Sequence, residues 1–154
     1  MDQDTAESMQ FDFTGNYNHT LDPKGRLTLP VVFREQLEQA APAKYALALD
    51  TRCLVIYPLP VWRELRAKLD ALPWNDPKAE SVKRLLMSSA FNCEVDAQGR
   101  TLLPAHLREL AKIDREVSLV GKGKYVEVWD RTRWKEYSTR GQENLEDDAS
   151  RLPL

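Results

Sequence analysis

Scarcity is the first informative property of this chain. It has only two cysteines, Cys53 and Cys93, too few for a disulfide framework, so a reduced setting is expected. It has only two histidines, His19 and His106, scattered relative to the cysteines. A metal site needs clustered Cys, His or acidic ligands, so no metal is expected. No glycine loop of the phosphate-cradling type occurs, no nucleophile elbow, and no acid–base pair repeated in both halves of the chain. The expectation is a protein that is not an enzyme, with no catalytic residue, no cofactor and no small-molecule substrate. No apolar run approaches the ~20 residues of a membrane span. The opening MDQDTAESMQ lacks the basic and apolar regions of a secretory signal. A cytoplasmic protein without a membrane partner is expected.

What the chain does have is charge, 30% of its residues, with a net value of −2. The distribution matters more than the total. Asp2, Asp4 and Glu7 crowd one end; Glu143, Glu146, Asp147 and Asp148, against Arg151, crowd the other. Without those two ends, residues 9–142 carry a net +4. A mildly basic body with acidic ends is compatible with phosphate binding without establishing it.

The chain also says one thing twice. LDPKGRLTLPVVFREQL begins at Leu21, and VDAQGRTLLPAHLRELA begins at Val95. At an offset of 74, Asp22 matches Asp96, Gly25 matches Gly99, Arg26 matches Arg100, and Leu29, Pro30, Arg34 and Glu35 recur as Leu103, Pro104, Arg108 and Glu109. Further on the offset becomes 72, with Tyr57 facing Trp129 and Trp62 matching Trp134. The change implies a two-residue shortening, placed between the helix and the strand that follows it. Two copies are too few for a solenoid and suggest a pseudo-twofold unit.

Each copy reads as strand, turn, strand, helix, hairpin, helix. In the first, NYNHTL is a strand, DPKG a turn, RLTL the returning strand, and Pro30 opens a helix. YALALD and LVIYP form a hairpin, and a helix follows from Pro60. The fold class is therefore α+β and strand-rich, a duplicated ββαββα plan. Residues 11–70 form the first repeat, 71–90 a linking helix capped by Asp76, and 91–140 the second repeat. The acidic ends, 1–10 and 141–154, are expected to be flexible.

Within the repeated motif, Asp22, Gly25, Asp96 and Gly99 have an ordinary role in making and orienting turns. Arg26 and Arg100 are not needed for a turn. They can pair with Asp22 and Asp96, or present guanidinium forks to phosphate or to the O6 and N7 edge of guanine, and the two readings can coexist. Lys24 and Gln98 share one turn position and can donate to DNA or be merely solvated. Arg34 and Arg108 can contact phosphate or brace the loops through Asp22 or Asp96. Tyr57, Trp62, Trp129 and Trp134 are read as packing residues.

The quoted repeats, together with VKRLLMSSA and VSLVGKGKYVEVWDRTRW, closely resemble the MraZ family, and each half resembles the wider AbrB/SpoVT group. The resemblance implies an AbrB-like swapped-hairpin barrel with peripheral helices, built from both halves of one chain. It implies a transcriptional regulator, nucleoid-associated, that binds double-stranded promoter DNA at guanine-rich direct repeats ahead of the division and cell-wall gene cluster. It implies a homo-oligomeric ring whose loops, Asp22–Lys24–Arg26 and Asp96–Gln98–Arg100, form the DNA-binding surface. A ring-forming interaction scaffold and an AbrB-like antitoxin are the other readings.

Overall fold

The computed structural model describes residues 10–40, 42–49 and 53–154. Its strands are β1 (Asn16–Thr20), β2 (Arg26–Thr28), β3 (Ala43–Leu47), β4 (Leu54–Pro58), β5 (Phe91–Cys93), β6 (Arg100–Leu102), β7 (Glu116–Gly121) and β8 (Val126–Asp130). Its helices are α1 (Val31–Gln39), α2 (Leu59–Asp70), α3 (Pro77–Ser89), α4 (Ala105–Leu110) and α5 (Arg131–Ser150). The order repeats ββαββα, with α3 between the copies. No described helix is long and apolar enough to cross a membrane.

Prolines and aspartates set the helix starts. Pro30 and Pro104 stand immediately before α1 and α4 with φ near −55° and extended ψ, so each stops the preceding strand. Asp76 caps α3 by accepting from the Lys78 amide at 2.9 Å, and Asp130 caps α5 by accepting from that of Arg133.

The two copies interleave instead of folding side by side. The six-stranded sheet runs β1-β7-β8-β4-β3-β5, and β2 pairs with β6 in a separate ribbon. The strand–turn–strand at each repeat's start is thus opened, and both of its strands pair with the other repeat: β1 with β7 and β5 with β3, all antiparallel. In the ribbon, Leu27 faces Thr101; in the sheet, Val55 faces Glu127. Each of these residues faces its own counterpart in the repeat, so the pseudo-twofold axis passes through both contacts.

The registers correct the place of the two-residue shortening. His19 faces Val117 and Cys93 faces Ala43. Since His19 and Cys93 are 74 apart, so are Ala43 and Val117, and the offset survives past the helix. Leu47 pairs with Leu54, but Gly121 pairs with Val126. The shortening therefore lies within the hairpin connection, residues 48–53 in the first copy against 122–125 in the second.

The sheet is covered on both faces, which explains the unbroken apolar run LVIYP. Leu54 and Ile56 enter a core with Leu27, Phe33, Leu107, Val126 and Val128, between the sheet, the ribbon and helices α1 and α4. Val55 and Tyr57 enter a second core with Val61, Trp62, Leu69, Leu86 and Trp129, beneath α2 and α3. The aromatics read as packing residues are there: Tyr57, Trp62 and Trp129 are buried and Trp134 packs against them. Each fully buried large side chain stabilises the fold by about 1.5–3 kcal/mol.

The ends differ from expectation on one side. Residues 1–9 of the expected flexible N-terminal segment lie outside the described residues. The C-terminal segment, expected to be loose after Gly141, is helical through Ser150 as the continuation of α5.

Candidate nucleic-acid interface

The two motif loops are near copies in space as well as in sequence. In the first, one Asp22 carboxylate oxygen accepts from the amides of Lys24 (2.9 Å) and Arg26 (2.8 Å), while the other accepts from Arg26 Nε. In the second, Asp96 accepts from the amides of Gln98 and Arg100, both at 2.9 Å, and from Arg100 Nε, also at 2.9 Å. Gly25 and Gly99 close the turns at φ +81° and +79°, a conformation that strains any residue with a Cβ. Their amides donate to the Asp22 and Asp96 carbonyls at 2.9 and 3.0 Å.

Each loop is tied to the opposite repeat. Leu103 N donates to Gly25 O at 2.9 Å, and Leu29 N donates to Gly99 O at 3.0 Å. Strand alternation in the ribbon then fixes direction. Leu27 and Thr101 point into the core, so Arg26, Thr28, Arg100 and Leu102 share the outer face. Arg26 and Arg100 sit diagonally across that face, their side chains 30% and 29% exposed. Both guanidiniums therefore leave the molecule on one side. Each spends Nε on its aspartate. Lys24 and Gln98 are exposed beside them.

The loops differ in one respect. Arg100 Nη2 donates to the Gln98 side-chain oxygen at 3.4 Å, so the second loop carries an amide leaning on its guanidinium where the first carries a lysine.

Arg34 and Arg108 brace the loops, but by a route different from the expected contact with Asp22 or Asp96. Each lies against the glycine of the other repeat's loop. A Cβ built on Gly25 would stand 3.0 Å from Arg108 Cζ, and one on Gly99 would stand 2.4 Å from Arg34 Nη1. Arg108 is held by donating from Nε to Leu103 O at 3.1 Å, and Arg34 by pairing with Glu38 at 3.2 Å. Neither glycine is exposed, because an arginine covers it.

One buried feature carries no motif signal. Beneath the ribbon, Tyr45 donates its hydroxyl to Thr101 Oγ1 at 3.0 Å, and Cys93 Sγ lies 3.4 Å from the same oxygen. Burial pushes the Tyr45 hydroxyl well up and the Cys93 thiol up, so both stay protonated. The only trace in the sequence is a threonine where the first copy has Leu27.

The carboxylates of Asp22 and Asp96 are held below their ordinary range. In each, the largest cause is the backbone amide of the paired arginine, Arg26 or Arg100, and the arginine side chain adds to it. A depressed carboxylate stabilises the fold fully above its unfolded value, near ~3.9, and loses that contribution as pH falls through the lowered folded value. The loops should thus keep their form throughout the neutral range and loosen only under strong acid. Amide exchange of Gly25, Arg26, Gly99 and Arg100 followed on descending pH checks this; loosening between pH 5 and 6 would refute it.

Residues 13–85 match the family described as "MraZ protein, putative antitoxin-like", and residues 86–154 match it a second time. The chain belongs to the MraZ family. The two matches divide it inside α3, each containing one Asp-x-x-x-Arg loop. A MraZ relative from Heliobacterium modesticaldum, named "Transcriptional regulator MraZ", is 43% identical over 140 residues, covering 91% of this chain and 96% of its own. Relatives of the same name from Moorella thermoacetica and Desulfitobacterium hafniense are 42% and 43% identical, with the same coverage. The aligned stretch spans nearly the whole length of these relatives.

Proposed function

We propose that this chain is a sequence-specific, DNA-binding transcriptional regulator whose paired Asp-x-x-x-Arg loops are the reading surface. The observation that carries the reading is the shared outer face of Arg26 and Arg100, each held at Nε by an aspartate. Two parallel N–H donors match O6 and N7 of guanine in the major groove. The names of the relatives support the regulatory role, and the match to guanine supports guanine-rich sites.

The target is the promoter region of the division and cell-wall gene cluster, the chain's own gene included, with direct guanine-rich repeats. The protein acts as a ring, nucleoid-associated, whose subunits present the same loop face in succession. Repeats about 10 base pairs apart meet successive subunits on one side of the duplex. One subunit offers few cations and binds weakly; linked subunits gain on the order of 10²–10⁴ in avidity. A ring is curved and DNA is not, and bending the duplex costs roughly 1–6 kcal/mol, so the subunit contacts give way in part on binding.

Fluorescence anisotropy with DNA from upstream of its own gene, against scrambled DNA over a range of salt, tests the reading. A steep loss of affinity with salt and a preference for the upstream sequence are expected. Equal affinity for both DNAs would leave an interaction scaffold as the better reading. In the same assay Lys24→Gln should flatten the logarithmic salt slope by about 0.9 per bound subunit, the value of one phosphate contact. An unchanged slope would mean that Lys24 touches no phosphate.

A further inference from the structure

The two copies differ in what the ribbon turns outward. In β2 the order Arg26, Leu27, Thr28 buries the leucine and exposes the threonine. In β6 the order Arg100, Thr101, Leu102 does the reverse, with Thr101 1% and Leu102 56% exposed. Thr28 and Leu102 are counterparts at the offset of 74, so the exchange falls on matched positions.

The exchange runs against what stability alone favours. A buried hydroxyl loses its water, and here Tyr45 compensates by donating to Thr101 Oγ1 at 3.0 Å, with Cys93 Sγ 3.4 Å from the same oxygen. An exposed leucine forfeits its transfer out of water. The first copy, with Leu27 inside and Thr28 outside, has neither cost. What the second copy has instead is an apolar side chain on an outer face that otherwise holds Arg26, Thr28 and Arg100, with Lys24 and Gln98 at the turns.

A two-stranded ribbon fits the major groove of B-DNA, where the apolar feature on a base edge is the thymine methyl group. The register says where Leu102 would meet one. Leu102 is the cross-strand partner of Arg26, and antiparallel partners stand about 4.5–5.5 Å apart. Arg100 lies two residues along the same strand, about 6.6 Å away. Successive bases on a strand are separated by about 3.4 Å, so Leu102 falls over the base pair adjoining the one that Arg26 reads. The cross-strand partner of Arg100 is Thr28, a side chain that can serve several bases.

We infer that Leu102 is a specificity-determining residue that recognises the methyl group of a thymine beside the guanine read by Arg26. The loop face then reads its two halves differently: a guanine with an adjoining thymine through Arg26 and Leu102, and a guanine with a more permissive neighbour through Arg100 and Thr28. The inference rests on the proposed DNA reading and adds to it a residue outside the identities of the duplicated motif.

Replacing thymine by uracil, one position at a time in the upstream duplex, removes a methyl and leaves the hydrogen-bonding groups in place. In fluorescence anisotropy, wild type should lose about fourfold in affinity per repeat at one such thymine, the effect of one buried methyl. Leu102→Gln and Leu102→Ser, both at an exposed position, should bind the thymine and uracil duplexes alike. The sensitive thymine should adjoin a guanine whose N7 protection Arg26→Ala removes. No uracil effect at any thymine, an equal effect in wild type and both variants, or a sensitive thymine beside a guanine protected through Arg100 would overturn the assignment of Leu102 while leaving the arginine reading. Equal affinity of wild type for upstream and scrambled DNA would overturn both.

Discussion

Arg26→Ala combined with Arg100→Ala will remove sequence preference from DNA binding and leave the fold standing. A two-pronged arginine–guanine contact is worth about 1–3 kcal/mol, and each subunit loses two, so specific affinity falls by several orders of magnitude once subunits are linked. The folded state loses much less. Both ion pairs are solvent-screened, and such pairs contribute little to stability. Singly, Arg26→Ala should cost more than Arg100→Ala. Lys24 supports the first loop with a charge, while the Arg100 guanidinium already shares a donor with Gln98. Anisotropy with promoter DNA, paired with thermal unfolding, separates the effects. Wild-type affinity in the double variant would remove these loops from the site.

Gly99→Ala should injure both stability and binding. At φ +79° an alanine is strained by about 1–2 kcal/mol, and its Cβ would lie 2.4 Å from Arg34 Nη1 and 3.0 Å from Arg34 Cδ. Arg34 must shift its guanidinium, which loosens the cover over the loop that presents Arg100. Gly25→Ala meets Arg108 at 3.0 Å and should cost less in both measures. Urea unfolding of Gly99→Ala, Arg34→Ala and the double variant forms a cycle that isolates the contact. With Arg34 already removed, Gly99→Ala should cost only the backbone strain. A cost unchanged by the removal would mean that the cross-brace does not exist.

These two residues also mark what a sequence can reveal about such a fold. The repeat was plain, because seven identities in one register survive, and the turn chemistry of Asp22 and Gly25 follows from residue type. The partner of Arg34 was hidden. Spacing relates Arg34 to Asp22 within its own copy, whereas the glycine it covers is Gly99, brought near by strand exchange between copies. The misplaced shortening has a similar cause. Two landmarks with different offsets say only that residues are missing somewhere between them, and strand register is needed to say where.

The end of α5 shows the opposite error. A run of acidic residues resembles a solvated tail, and the fourfold spacing of Tyr137, Gly141, Leu145 and Ala149 was the signal that it is helical. Thr101 was visible only as a mismatch with Leu27. Its meaning depends on Tyr45, which lies 56 residues away in sequence.

The most direct measurement is protection of guanine N7 from methylation on DNA upstream of the chain's own gene. Wild type should shield guanines in a repeated pattern, Arg26→Ala and Arg100→Ala should each unshield a different subset, and the double variant should shield none. Identical protection by wild type and the double variant would contradict the account.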